Sequence, residues 1–310
     1  MVYPIERKLV VAVSSSALFD LSESNKVFVD EGPLVYKEFQ KKNLDKPLPK
    51  GVAFPFIRRF LSINTRFSER MPVEVVLLSK NSVMTGERVF RSIKHYELDI
   101  SRAAFLEGAS PYPYIADFNA SIFLSANEDD VLAAIQAGHP AGVVLPSNVV
   151  DKEDDLELRI AFDFDGVIAD DEAEAVFKAG DLKDFQAHEQ SNVSIPHNPG
   201  PLADLFKKIS FMQKLEDKEI EKASDYKRII NTAIVTARNA PSHERVIHTL
   251  ESWGVSPNKT FFLGGVEKSR ILRTLRPHIF FDDQLSHLKS DADDIPMVHV
   301  PFGIANRNDV

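Results

Sequence analysis

The sequence predicts an α/β fold built on parallel sheets. Short apolar runs of strand length alternate with amphipathic stretches of helical length, the β-α rhythm of doubly wound folds. Several of those runs end in side chains that carry chemistry, as in Ile160-Ala-Phe-Asp-Phe-Asp165. The carboxyl ends of strands are where open α/β sheets bind ligands.

Taken in order, residues 8–13 read as a first strand ending in Ser14-Ser-Ser16. Residues 21–70 are mixed, with helical pattern at 33–42 and 56–61 on either side of a proline-containing break at 44–49. Residues 73–78 form a strong strand ending in Ser79, followed by a helix at 85–96 and a strand at 103–106. Ser110-Pro-Tyr-Pro-Tyr114 reads as a rigid loop; a strand at 121–124, a helix at 128–137 and a strand at 141–145 close this half. The polar, acidic stretch 148–155 is the expected linker between a half at 1–150 and a domain at 156–310. In the second half the strand at 158–162 leads into helical pattern at 172–178, 201–212 and 217–228. That is too much chain for one crossover and predicts an insertion. A strand to Thr236, a helix at 242–253, a strand at 260–263, a helix at Lys268, and strands at 279–281 and 296–300 complete the pattern.

Composition narrows the function. The 310 residues are 44% hydrophobic and 27% charged, as expected of a globular protein with a well-buried core. A formal net charge of -9 argues against a nucleic-acid polymer as partner, which calls for a basic face. The absence of cysteine excludes thiol catalysis and disulfides. No run has the length of a membrane span and the first residues lack the apolar core of a signal peptide, so a cytoplasmic location without membrane contact is expected.

Four signals carry the chemistry. Asp163 and Asp165 close an apolar strand, and side chains at i and i+2 project from one face, so the two carboxylates converge. Such a pair can hold a hard cation while one attacks an electrophile and the other moves a proton. Asp and Gly are also ordinary turn residues, which is the plainer reading of this stretch alone. Downstream, Ile234-Val-Thr-Ala-Arg238 ends a strand in the Thr236 hydroxyl, Lys268 follows in Gly264-Gly-Val-Glu-Lys268, and Ile279-Phe-Phe-Asp-Asp283 ends in paired carboxylates. DxD, Thr, Lys and DD in this order resemble the haloacid dehalogenase (HAD)-like superfamily of aspartate-based phosphatases. A closer resemblance is to the cytosolic 5′-nucleotidase type I family, carried by Val11-Ala-Val-Ser-Ser15, Gly51-Val-Ala-Phe-Pro-Phe56, Ser110-Pro-Tyr-Pro-Tyr114, Asp170-Asp-Glu172 and Phe281-Asp-Asp-Gln284.

The resemblance implies a Rossmannoid parallel sheet with a small helical cap at about residues 171–230. It also implies Mg²⁺-dependent hydrolysis of nucleoside 5′-monophosphates, AMP-like or IMP-like, through an aspartyl phosphate. In that scheme Asp163 is the nucleophile, Asp165 the proton donor and acceptor, and Thr236 and Lys268 hold the phosphoryl group. Asp163, Asp165 through its main-chain carbonyl, and Asp282 would bind the metal, with Asp283 either a ligand or beside one. Lys268 reads alternatively as an exposed helix lysine. Arg238 is assigned to phosphate or ribose, against a surface arginine. Phe177, Phe185, Phe206 and Phe211 could stack on a base, although aromatics on helices more often belong to a core, His188 and His197 read as surface residues, and Asp170, Asp171 and Glu172 either bind ribose or cap a helix. Rival readings are a HAD-type phosphatase of sugar phosphates and a non-catalytic nucleotide-binding regulator; homo-oligomerisation is left open.

The two halves also align. Ser14 falls on Asp163 at an offset of 163 − 14 = 149, and Ser79 on Thr236 at 236 − 79 = 157, each offset recurring at neighbouring apolar positions. An internal duplication is expected, with Ser14 and Ser16 in place of the DxD pair, Pro111 at the lysine, and Ser125 and Ala126 in place of the paired carboxylates. The N-terminal half is thus expected to be a degenerate HAD-like copy without chemistry.

Overall fold

A computed structural model describes residues 4–223, 225–288 and 294–307. The chain forms two compact units, Met1–Val144 and Leu145–Val310.

In the first unit the elements run β1 (Leu9–Val13), α1 (Ser15–Leu18), α2 (Ser22–Lys42), α3 (Phe54–Arg66), β2 (Val73–Ser79), α4 (Val83–His95), β3 (Arg102–Phe105), β4 (Ala120–Ser125), α5 (Glu128–Gln136) and β5 (Ala141–Val144). Its strands are parallel, in the order β3-β2-β1-β4-β5. Every residue of β1 and β2 is buried, as expected for parallel strands covered on both faces. Glu74, inside β2, is matched by Arg102 at 2.6 Å and Lys8 at 3.6 Å.

The second unit runs β6 (Leu158–Phe162), α6 (Glu172–Ala179), α7 (Leu182–Ser191), α8 (Ala203–Lys222), β7 (Ile230–Thr236), α9 (His243–Ser252), β8 (Lys259–Phe262), α10 (Lys268–Leu275), β9 (Ile279–Asp282), α11 (Leu285–Leu288) and β10 (Met297–His299). Its parallel strands lie in the order β8-β7-β6-β9-β10, the same pattern as in the first unit. Strands β1 and β6 begin 158 − 9 = 149 residues apart, and β2 and β7 begin 230 − 73 = 157 apart. From β6 the chain steps outward through β7 and β8, then returns to β9 on the other side of β6. That reversal is a topological switch point, where a crevice opens at the strand carboxyl ends. Phe162 of β6 stacks on Phe281 of β9 at 5.2 Å and meets Phe206 of α8 edge-on at 5.4 Å. On the opposite face Ala161 joins Leu272, Phe280 and Met297.

Three expectations change. The helix expected at 217–228 is the end of α8, which stops at Lys222; Ser224 lies outside the described residues. The chain turns there because the buried Glu216 carboxylate accepts Tyr226 Oη at 3.1 Å and the Ile229 and Ile230 amides at 2.7 and 3.0 Å. Helix α7 was not anticipated, since residues 182–191 are polar with little periodicity; Asp181 starts it with a capping box. The loop at 110–114 contains a 3₁₀ turn, Tyr112–Tyr114. No helix of the described residues is long and apolar enough to cross a membrane.

Candidate active site

The second unit's switch point gathers the predicted residues. Asp163 extends β6, its amide donating to Phe281 O at 2.8 Å, and is 4% exposed. Its Oδ1 accepts the Phe164 amide at 2.7 Å, and its Oδ2 lies 2.6 Å from Lys268 Nζ. Lys268, first residue of α10, also donates to Asp282 Oδ2 at 2.7 Å and is 5% exposed, which removes the exposed-lysine reading. Thr236, at the end of β7, is buried, and its hydroxyl accepts the Arg238 amide at 3.2 Å. Burial works against a charged Lys268, but Asp163 and Asp282 outweigh it and hold the ammonium above the usual lysine range.

The two acidic residues of the DD pair have different surroundings. Asp282 accepts from Lys268, from the Gln284 amide at 2.9 Å, and approaches His287 Nδ1 at 3.2 Å. Burial would raise it, yet Lys268 and His287 keep its carboxyl below the ordinary value. Asp283 is fully buried, and neither of its oxygens meets a hydrogen-bond donor among the described residues. Burial, then the charges of Asp163, Asp282 and Glu174, push its carboxyl up to about 10. Burial and the neighbouring carboxylates likewise raise Asp163 to about 7, against the pull of Lys268. Glu174 of α6 also has a buried oxygen without a partner among the described residues. Oxygen-rich, over-supplied with negative charge and holding orphaned carboxylate atoms, these residues fit a hard divalent cation. Ligand-type atoms of Asp163, Asp282 and His287 fall within 4.8 Å of one another, a further grouping in which His287 had not been anticipated.

Arg238 is 4% exposed, so the surface reading fails. Its Nε and Nη2 donate to Asp165 Oδ2 and Oδ1 at 2.7 and 2.6 Å, a two-pronged contact. Its Nη1 donates to Glu189 of α7 and, at 3.4 Å, to Ser242 O. Its donors thus face protein groups. Burial disfavours the charge, but Asp165 and Glu189 hold Arg238 above its ordinary value. Glu189 is 0% exposed and also accepts Arg245 Nη1 at 2.8 Å. Burial would raise it, but His197 and Arg238 keep it well below the usual carboxylate range.

His197, expected at the surface, is 2% exposed. Its amide donates to Thr249 Oγ1 at 3.0 Å, its Nε2 lies 3.2 Å from Glu189 Oε2, and its ring meets Phe164 edge-on at 5.4 Å. His188 is half-buried between Glu172 and Glu189. Among the four aromatic candidates, Phe206 is core, Phe211 is 61% exposed, and Phe177 and Phe185 pair edge-on at 6.2 Å. Asp170 accepts from Asn198 Nδ2 at 2.9 Å, Asp171 from the Ile304 amide at 2.7 Å, and Glu172 from Arg245 at 3.2 Å. Glu174, Glu189 and His287 were missed: a lone glutamate or histidine on a helix gives no sequence signal unless its partner is known.

The 5′-nucleotidase family model matches residues 1–307. The chain is also 33% identical over 287 residues to human (Homo sapiens) cytosolic 5′-nucleotidase 1B, a match covering 91% of this chain and 47% of the relative. It therefore spans about half the length of that curated relative. No solved structure matches the chain.

Proposed function

This chain belongs to the 5′-nucleotidase family, and from that premise we propose that it hydrolyses nucleoside 5′-monophosphates, AMP-like or IMP-like, to nucleoside and phosphate in the cytoplasm. The observation that carries the reading is the buried Lys268 ammonium set between Asp163 and Asp282, at the carboxyl end of β6, whose neighbour β7 ends in Thr236. In the proposed reaction an Asp163 oxygen attacks phosphorus and the bond to the 5′ oxygen breaks. The departing oxygen keeps the electron pair and takes a proton from Asp165. A water then gives its proton to Asp165 and attacks phosphorus, the bond to Asp163 breaks, and inorganic phosphate leaves. Thr236 and Lys268 donate to the phosphoryl oxygens as charge builds there. Asp163, the Asp165 main-chain carbonyl and Asp283, whose oxygens have no donor among the described residues, would hold Mg²⁺ in place of the Asp282 that the resemblance implied, since Lys268 and His287 already engage Asp282. Bound there, the ion would offset repulsion between the nucleophile and the phosphate dianion.

On the same reading the first unit is a catalytically silent second copy of the core. Ser14, Ser16 and Ser125 stand where Asp163, Asp165 and Asp282 stand, and equivalent contacts recur. Asn81 N donates to Ser79 Oγ at 3.2 Å as Arg238 N does to Thr236, and Asn127 N to Ser125 Oγ at 3.1 Å as Gln284 N does to Asp282. A phosphate-release panel of 5′-AMP, 5′-IMP, 3′-AMP and sugar phosphates, run with Mg²⁺ and with EDTA, tests the function. Highest kcat/KM on a 5′-nucleotide, abolished by EDTA and restored by Mg²⁺, is the expected result. A sugar phosphate turning over faster, or rates unchanged in chelator, would overturn it.

A further inference from the structure

Comparing the units separates scaffold from catalytic parts in the network around Arg238. Arg88 and Gln40 of the first unit stand at the positions of Arg245 and Glu189, since 245 − 88 = 157 and 189 − 40 = 149. Both arginines use Nε to reach a main-chain carbonyl at 2.9 Å, Lys46 O in one case and Ile195 O in the other. Both use Nη1 to reach the helix partner, Gln40 Oε1 at 3.2 Å and Glu189 Oε1 at 2.8 Å. The hydroxyls below them also match: Ser92 accepts the Leu48 amide at 2.9 Å and Thr249 accepts the His197 amide at 3.0 Å. This clamp is present in a unit that has no DxD pair, so it is scaffold, and a glutamine suffices for it.

The differences lie one step nearer the site. Where the second unit has Asp165, the first has Ser16; where it has Arg238, the first has Asn81; where it has Glu189, the first has Gln40. The guanidinium and the buried negative charge behind it occur together with the second carboxylate. Helix α7 contributes two of the groups that fix this guanidinium: Glu189 at Nη1, and the Phe185 ring, 5.3 Å from the guanidinium carbon. Phe164, between the two catalytic aspartates, lies 5.5 Å from the same carbon. An arginine fork has a fixed planar geometry, so anchoring one edge aims the other.

We propose that Glu189 is a positioning residue for catalysis: its charge fixes Arg238, and Arg238 aims both oxygens of Asp165. Seating α7 and aiming Asp165 are then a single structural event. The proposal rests on the acid-base role given to Asp165 above.

The test variant is Glu189→Gln, which reproduces the side chain that the first unit uses in the same clamp and is therefore expected to fold. With 5′-AMP its kcat should fall by roughly tenfold or more, with KM changed by less than about threefold, because proton transfer rather than binding is impaired. Arg238→Lys, which keeps the charge but not the fork, should give a similar loss, and the double variant little more than either alone. With p-nitrophenyl phosphate, whose leaving oxygen needs no proton, kcat/KM should change by less than about threefold in each variant. Equal losses on both substrates, or additive losses in the double variant, would reduce Glu189 to a structural role and overturn the proposal. Unchanged kcat in Glu189→Gln would do the same. If Glu189→Gln does not fold, Arg238→Lys carries the same substrate contrast. Wild type without activity on any 5′-nucleotide would instead defeat the proposed function, so the two failures are read from different rows of the assay.

Discussion

At the scale of single residues, the site depends on close approach as much as on charge. Gly166 has φ +68°, and a Cβ on it would stand 2.5 Å from Asp283 Oδ2. Gly166→Ala therefore meets both an unfavourable backbone region and the carboxylate proposed to hold the metal. A loss of more than about 1 kcal/mol is expected in thermal melts, together with a weaker Mg²⁺-dependent rise in Tm. Asp163→Asn keeps the shape of the proposed nucleophile but not its charge. Phosphate release should fall by at least roughly a thousandfold, with Tm shifted by no more than about 4 °C. A variant retaining several per cent of activity would rule out attack by Asp163.

At the scale of elements, α8 and the lead-in to β6 set where the strand that carries Asp163 lies. Phe206 is 1% exposed against Phe162, whereas Phe211 on the same helix is 61% exposed. Phe206→Ala should cost about 3–5 kcal/mol, and Phe211→Ala less than about 0.5 kcal/mol, as read from denaturant unfolding. Just before β6, Asp155 Oδ2 accepts Arg159 Nη2 at 2.7 Å. Partial burial works upward on Asp155, but the Arg159 hydrogen bond and charge hold it at about 2, below its ordinary 3.8. A depressed carboxylate stabilises the fold above its unfolded value and loses that contribution as pH falls through the folded one. Asp155→Asn should therefore flatten the drop in Tm between about pH 4 and pH 2.

At the scale of the whole molecule, two units of like strand order carry unlike strand ends. In the first, Ser14 Oγ lies 3.0 Å from Ser16 Oγ, and Ser15 Oγ 2.9 Å from Ser79 Oγ, so hydroxyls satisfy one another where the second unit sets carboxylates against Lys268. Installing Asp at both Ser14 and Ser16 in an Asp163→Asn background should yield no phosphate release, since Pro111, Ser125 and Ala126 supply neither the ammonium nor the paired carboxylates. Activity from that variant would show the first unit to be a competent site rather than a silent one.

The sequence by itself determined the α/β class, the strand positions and the identity of the DxD, Thr, Lys and DD residues. Those signals are local: an apolar run of strand length fixes a buried parallel strand, and the residues that end it are placed at the sheet edge by strand geometry alone. The tertiary structure decided what each side chain faces. Lys268 between Asp163 and Asp282, Arg238 turned into the protein rather than outward, and Glu189 behind it all depend on chain segments far apart in sequence. Helix α7 shows why: its residues are polar and weakly periodic, so nothing local marks Glu189 as buried. Its charge is tolerated because His197 and the guanidinium groups of Arg238 and Arg245 close over it, and desolvation is offset by partners that folding alone brings within reach.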